Sequence, residues 1–240
     1  MKEISVSKMK NDLVHEGHGI ARRFFTGTSA SYDTVVNITT FGQDASWKRA
    51  ILDLIPTGNY KVLDLACGTG ILTFALAQRV SVVVGVDLME ENIRVANEKA
   101  RENDITNVTF CTSAAETIPQ QDNSFDFVTA SYLPKYCDIE LVVKESARVL
   151  KRNGVLIMHD FTYPKSVAMR GLWNTYFKIL RIAGVFTPSW RPVFNELDHV
   201  IKHSRWVDEL VNAMNDHEFR NVQCKNLTYD TAAIVWGSRV

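Results

Sequence analysis

The sequence carries no excess of charge of either sign: Lys plus Arg and Asp plus Glu each number 27, for a formal net charge of zero. The broad positive field that draws a protein onto nucleic acid is therefore missing, and no nucleic-acid partner is expected. Long apolar runs are missing too. No stretch of about 18 apolar residues is available to span a bilayer, and the opening MKEISVSKMKNDL lacks the apolar core of a secretory leader, so a cytoplasmic protein is expected. Cysteine is sparse. Cys67, Cys111, Cys137 and Cys224 are widely spaced with no C-x-x-C, which argues against a zinc site or a disulfide framework and for small core residues in a reducing compartment. His15 and His18 stand three apart without an acidic or cysteine partner at ligand spacing, so no metal is expected.

What the chain does contain is enough for one large domain, or a domain with an elaborated cap: 240 residues, 46% apolar and 22% charged. The densest signal is KVLDLACGTGILTFALA at 61–77. Val62, Leu63 and Leu65 form an apolar run broken only by Asp64, Cys67-Gly68-Thr69-Gly70 turns the chain, and Ile71 resumes with helical spacing. That is a buried strand, a tight turn and a helix. Glycines in the turn let a ligand approach the main chain, and the unpaired N–H groups that open the helix favour an anionic group there. A dinucleotide fingerprint requires G-x-G-x-x-G, and Thr73 stands where its third glycine belongs. The spacing D-x-x-x-G-x-G instead sets Asp64 at the strand end, where it meets an ammonium group. The methionyl part of S-adenosylmethionine, with its ammonium and carboxylate, suits this turn better than a pyrophosphate.

Val82–Asp87 reads as a second buried strand ending in an acid, the position that accepts hydrogen bonds from a ribose diol in open sheets of this class. Glu90–Asn103 places Ile93, Ala96 and Ala100 on one helical face. Val108–Thr112 and Phe125–Ala130 are the next strands, Leu141–Leu150 a helix closed by Lys151–Gly154, and Val155–Met158 a fifth strand. Strands and helices alternating at this length predict a parallel sheet with helices on both faces, with ligands beyond the carboxyl ends of the strands. Asp64, Asp87, the 113–116 segment, Ser131 and Asp160 all fall at such ends.

Residues 1–20 are polar and read as a mobile start or a short helix, while 22–55 hold enough apolar surface to pack as helices beside the first strand. From 162 to 203 aromatics are dense and prolines interrupt, the pattern of an inserted cap. Ser204 then caps a further helix, and Phe219–Leu227 and Ala232–Trp236 close the chain as strands. The expected division is a helical opening or lid segment at 1–55, a cofactor-binding core at 56–161, an aromatic-rich substrate cap at 162–203, and a closing helix and strands at 204–240.

SYDTVVNITTFGQDASWKRAIL at 31–52, VLDLACGTG, SFDFVTASY, ESARVLKRNGVLIMHDF and LTYDTAAIVWGSRV together resemble the S-adenosylmethionine-dependent methyltransferases, and within them the ubiquinone/menaquinone biosynthesis (UbiE-type) C-methyltransferases. The resemblance implies a Rossmann-like α/β fold: a seven-stranded, mostly parallel sheet with helices on both faces, its last strand antiparallel, and a helical cap after strand 5. It implies S-adenosylmethionine as cofactor, with Thr69 in the glycine turn, Asp87 on the ribose hydroxyls, Ala114-Ala115 along the adenine and Ser131 lining the site. Tyr32, Asp64, Ala66, Gly68, Gly70, Leu88, Glu116 and Tyr132 complete the expected binding set.

Two departures matter. The family usually carries Asp or Asn where this chain has Ala114, and its S-F-G-L-R-N-V segment stands here as Ser131-Tyr132-Leu133-Pro134-Lys135-Tyr136. The expected reaction is methyl transfer to a small aromatic or quinol-type acceptor, with another O, N or S acceptor, or a cofactor-binding protein without turnover, left open. An N-P-P-Y type motif, as in nucleic-acid methyltransferases, is absent. Tyr132, Lys135, His159 and Asp160 are the foremost candidates for a base, beside His199 and His203, and spacing singles out none of them. A peripheral membrane contact and a homodimer stay open.

Overall fold

The computed structural model describes residues 16–240. His15 and most of the polar opening segment therefore lie outside the described residues. Seven strands, β1 (Gly58–Leu65), β2 (Val80–Asp87), β3 (Val108–Thr112), β4 (Phe125–Ser131), β5 (Leu150–Phe161), β6 (Phe219–Leu227) and β7 (Ala232–Arg239), form one sheet in the order β3-β2-β1-β4-β5-β7-β6. β1 to β5 pair in parallel, and β7 runs antiparallel between β5 and β6. The strand order reverses at β1 and β4, which leaves a crevice beyond their carboxyl ends. The doubly wound sheet with an antiparallel closing strand is thus as the sequence predicts.

Successive residues of a strand face opposite sides of the sheet, and here both sides are covered, so the central strands send apolar residues to both faces. Leu63, Leu65, Val84, Val86, Val128 and Met158 join one core with Val142 of α6 (Ile139–Val149) and Leu210 of α9 (Trp206–Asp216). Their neighbours Val62, Val83, Phe127 and Ile157 join a second core with Ile51 of α3 (Gln43–Leu52) and Leu72 and Leu76 of α4 (Ile71–Ala77). α5 (Glu90–Glu102) begins just after β2.

Two expectations change in detail. Lys151–Gly154 does not close a helix: β5 starts at Leu150, directly after α6, and contains these residues in an irregular stretch where Asn153 turns left-handed at φ 65°. Leu150 is fully buried and pairs with Phe125, and that burial outweighs the local helix-end chemistry. Nor do all the opening helices lie beside β1. Residues 16–25 (α1) and α2 (Tyr32–Thr39) contribute Phe24 and Val36 to a separate cluster with Trp190, Val193 and Phe194.

The cap consists of α7 (Val167–Ala183) and α8 (Arg191–His203), inserted between β5 and α9. Trp173 and Phe177 pack against Ile201, and the Trp173 indole N–H donates to Asp198 at 2.8 Å. The Trp190 indole donates to Ser31 Oγ at 2.9 Å, and the Tyr176 hydroxyl donates to the Thr39 carbonyl, tying cap to opening helices. Ser204 Oγ accepts the Trp206 N–H at 3.3 Å at the start of α9. Among the described residues no helix is long and apolar enough to cross a membrane.

Candidate active site

The crevice is built by strained ends of the two central strands. After β1, Ala66 (φ 52°), Gly68 (φ 56°) and Gly70 (φ 92°) all turn left-handed, and after β4 Tyr132 does the same at φ 65°. Non-glycine residues held in that region cost free energy that the surrounding packing must overcome, and such residues cluster at binding sites. A Cβ placed on Gly68 meets no atom within 4 Å, so the turn faces open space.

That space is a cavity of about 80 Å³ bounded by Ala66 and Gly68 after β1, Asp87, Leu88 and Met89 after β2, the 113–116 segment after β3, and Ser131 and Tyr132 after β4. Its outer wall comes from the opening helices, with His18, Ala21 and Phe25 on α1 and Tyr32 on α2. Asp87 is the most heavily bonded of these groups. It accepts the N–H of Gly68 at 2.9 Å, the N–H of Met89 at 2.8 Å and the amide of Asn92 at 3.1 Å. Burial raises its pKa, and these three donors act against that rise. Glu116 accepts the Asp138 N–H at 3.1 Å and lies 3.1 Å from His18 Nε2, so α1 is latched to the loop after β3. Gly17 permits the latch, since a Cβ there would stand 2.5 Å from the Tyr136 carbonyl oxygen.

A second, larger chamber of about 480 Å³ lies beneath the cap. Its lining is nearly all apolar, from Met169, Trp173, Tyr176 and Leu180 on α7 to Val193 and Phe194 on α8. Phe25, Tyr32, Tyr132 and Tyr136 border both cavities and form the partition between them. Tyr132 is fixed in that partition: its ring stacks on Phe161 at 5.0 Å and its hydroxyl donates to Asp44 at 2.8 Å. Burial, and then the Asp44 charge, push the Tyr132 phenol well above its ordinary pKa, so it stays a donor. Asp44 is also ion-paired with Lys48.

Lys135 stands on the chamber wall. Its Nζ pairs with Asp160, both side chains almost wholly shielded, and burial favours the neutral amine by pulling Lys135 well below the usual lysine range. Asp160 Oδ2 and His159 Nε2 are buried without a hydrogen-bond partner among the described residues. His159 Nδ1 lies 3.1 Å from Ser131 Oγ, and burial, with the Lys48 charge beside it, holds the imidazole neutral.

The ubiE/COQ5 methyltransferase family profile matches residues 13–239 of the chain. The chain belongs to that family. It is 30% identical over 221 residues to a demethylmenaquinone methyltransferase of Staphylococcus aureus (strain MRSA252), covering 90% of this chain and 91% of that one. It is 29% identical over 241 residues to the demethylmenaquinone methyltransferase of Anoxybacillus flavithermus, at 98% of both. Among solved structures, geranyl diphosphate C-methyltransferase from Streptomyces coelicolor A3(2) superposes with a TM-score of 0.62 at 17% identity, over 82% of this chain and 78% of that one. The PH0226 protein of Pyrococcus horikoshii OT3 does so with 0.60 at 22%, over 83% and 91%. These structural likenesses carry the fold, and the family carries the activity: a methyltransferase that uses S-adenosylmethionine.

The residues of the methyltransferase fit that cofactor. A glycine turn with open space before it, a carboxylate at the end of β2 and the small side chains of Ala114 and Ala115 line one cavity. Of the expected binding set, Tyr32, Ala66, Gly68, Asp87, Leu88, Ala114, Ala115, Glu116, Ser131 and Tyr132 meet there. Asp64, Thr69 and Gly70 do not line it. Asp64 is buried behind the turn and accepts the hydroxyls of Thr73 at 2.6 Å and Thr129 at 2.9 Å, and the Thr69 hydroxyl donates to Asp33 at 2.6 Å. Gly70 packs under Phe74.

Of the foremost base candidates, Tyr132 and Lys135 reach the chamber, and His159 and Asp160 stand behind them. His199 and His203 pack against each other on α8 with their rings tilted by 37°, away from both cavities. Sequence reasoning missed His18, Phe25, Asn92, Met89, Tyr136 and the pair Asp44–Lys48. Asn92 alone had a local signal, five residues after Asp87 on the first turn of α5.

Proposed function

We propose that this methyltransferase moves the methyl group of S-adenosylmethionine to a ring carbon of a quinol with an apolar tail, the class of acceptor for which its relatives are named. The observation that carries this reading is the partition of Phe25, Tyr32, Tyr132 and Tyr136, with a polar-rimmed donor cavity on one side and a large apolar chamber on the other. Flat aromatic walls favour a flat ring by burial and stacking, and the chamber's volume falls in the range of small-molecule sites. The reaction belongs in a reducing cytoplasm, in keeping with four free cysteines, and at a membrane face where such acceptors reside.

In this reading Asp87 takes the ribose hydroxyls, the Thr69 N–H of the glycine turn, its neighbours' N–H groups being bonded within the protein, takes the methionyl carboxylate, and Ala114-Ala115 flank the adenine. The donor cavity as it stands is smaller than the several hundred Å³ of a usual ligand site. The His18–Glu116 latch therefore opens to admit the nucleoside and closes behind it. When bound, S-adenosylmethionine supplies an electrophilic methyl group on a sulfonium leaving group. Lys135, its amine freed by burial, takes the phenol proton of the acceptor, and Asp160 holds the resulting ammonium. With the cofactor bound, the ring carbon would take the methyl group and the S–CH3 bonding pair would stay on sulfur; Lys135 would then return the phenol proton to the ring oxygen and take the proton displaced from the methylated carbon, releasing that one surplus proton to solvent as product leaves. Tyr132, held by Asp44, fixes the ring against the partition, and the cap excludes water.

The test is product analysis with a short-tailed demethylmenaquinol kept reduced. A product heavier by one methylene, with the new methyl on a ring carbon by NMR, is expected. Exclusive methylation of oxygen, or turnover only of unrelated amines or thiols, overturns the reading.

A further inference from the structure

We infer that the outward stripe of α7 seats on an anionic lipid surface. α7 has two apolar faces. Trp173, Phe177 and Leu180 turn inward, while Leu172, Ile179 and Ile182, at helical spacing on a neighbouring face, are 64%, 60% and 65% exposed. Phe186, four residues beyond Ile182 and 81% exposed, extends the stripe. Phe41 (79%) borders it through its contact with Tyr176, ring centroids 5.7 Å apart. A contiguous exposed apolar surface of this kind marks a contact site rather than ordinary surface.

Charge identifies the occupant. From Phe161 to Asn195 the chain has no Asp or Glu, yet it carries Lys165, Arg170, Lys178, Arg181 and Arg191, in a sequence whose net charge is zero. Arg181 is paired with Asp198 at 3.1 Å, whereas Arg170 and Lys178, both exposed on α7, make no ion pair among the described residues. Apolar side chains flanked by two unpaired cations on one helix are the makings of an interfacial element that lies in the headgroup layer of an anionic bilayer. A second copy of the chain would bring the same cations face to face.

The stripe is also continuous with the chamber. Phe41, Leu172 and Ile179 are exposed and line it as well, so the chamber opens within the surface that would meet the lipid. An acceptor with an apolar tail then passes from bilayer to chamber without crossing water. This last point rests on the acceptor proposed above; the docking itself rests on exposure and charge.

The experiment uses the full chain without acceptor, sedimented with vesicles of phosphatidylcholine alone or with added phosphatidylglycerol. Binding is expected to be at least tenfold tighter to the anionic vesicles and to weaken as salt is raised. Combining Ile182→Ser, Phe186→Ser and Lys178→Glu, none of which lines either cavity, should weaken vesicle binding at least tenfold. Melting temperature and turnover of a short-tailed, water-soluble acceptor should stay unchanged. No binding to either vesicle, or equal binding by the variant, overturns the inference. So does a dimer in solution that these substitutions dissociate, since the stripe then serves a second copy. Because the vesicle arm contains no acceptor, a wrong acceptor leaves its outcome untouched.

Discussion

The backbone N–H of Gly68, in the turn after β1, donates to the carboxylate of Asp87, at the end of β2, across 2.9 Å. The acid that faces the donor cavity therefore also sets the shape of the glycine turn, and the two cannot be altered separately. Asp87→Asn replaces one acceptor oxygen with an N–H donor and opposes either the Gly68 or the Met89 N–H. Affinity for S-adenosylmethionine should fall at least about tenfold, the loss of roughly 1.4 kcal/mol or more that a charge-assisted bond contributes. Calorimetry checks this, and an unchanged dissociation constant sinks the assignment of Asp87 to the ribose.

Lys135→Met should lower kcat by about 100-fold or more, the usual scale of a lost proton acceptor, with cofactor affinity kept. The active form is the neutral amine, so the wild-type rate should rise with pH up to the Lys135 pKa and then level off. Because burial lowers that pKa, the plateau should begin below the ordinary lysine range. Lys135→Arg keeps the cation but cannot accept the proton, and should be as slow as the methionine variant. A pH profile that is the same in wild type and variant removes Lys135 from this role.

Asp64 gives a stability test. Burial raises its pKa from 3.8 to about 6, against the hydrogen bonds from Thr73 and Thr129. The folded state thus binds a proton more tightly than the unfolded chain between these values, and the stabilisation present below pH 3.8 is lost as pH rises through 6. Relative to Asp64→Asn, the wild type should lose on the order of 3 kcal/mol between pH 4 and pH 7. Denaturant titrations of both proteins across that window measure it, and parallel pH dependences would refute the buried-acid account.

Trp206 is buried at the start of α9, and its indole N–H donates to the Phe161 carbonyl at 2.7 Å. Trp206→Ala should cost about 3–5 kcal/mol by cavity formation. Trp206→Phe keeps most of the volume and should cost about 1–3 kcal/mol for the carbonyl left unsatisfied. Urea unfolding midpoints distinguish the two, and equal losses would show that packing alone matters there.

The central strands were legible because each holds a short apolar run ended by a polar residue or a turn, and two outer strands, Val108–Thr112 and the largely polar Phe219–Leu227, match residue for residue. The donor rim was legible for the same reason, since strand ends in a parallel sheet share one edge. Lys151–Gly154 misled because a cationic, glycine-bearing segment after a helix is ordinarily its end, whereas here the buried Leu150 recruits it into β5. His18, Phe25 and the Asp44–Lys48 pair were not legible. They reach the site through helix packing between elements far apart in the chain, His18 and Glu116 being 98 residues apart, and no local pattern encodes such an approach.

One wall of four rings serves two tenants. Trimming Tyr32 or Tyr136 to widen the room for a bulkier acceptor also loosens the grip on the methyl donor, so changes of acceptor preference along this lineage should carry compensating substitutions on the donor side. Pairs of such substitutions should be non-additive in both affinities, and a specificity designer who treats the compartments as independent will find each repair undoing the other.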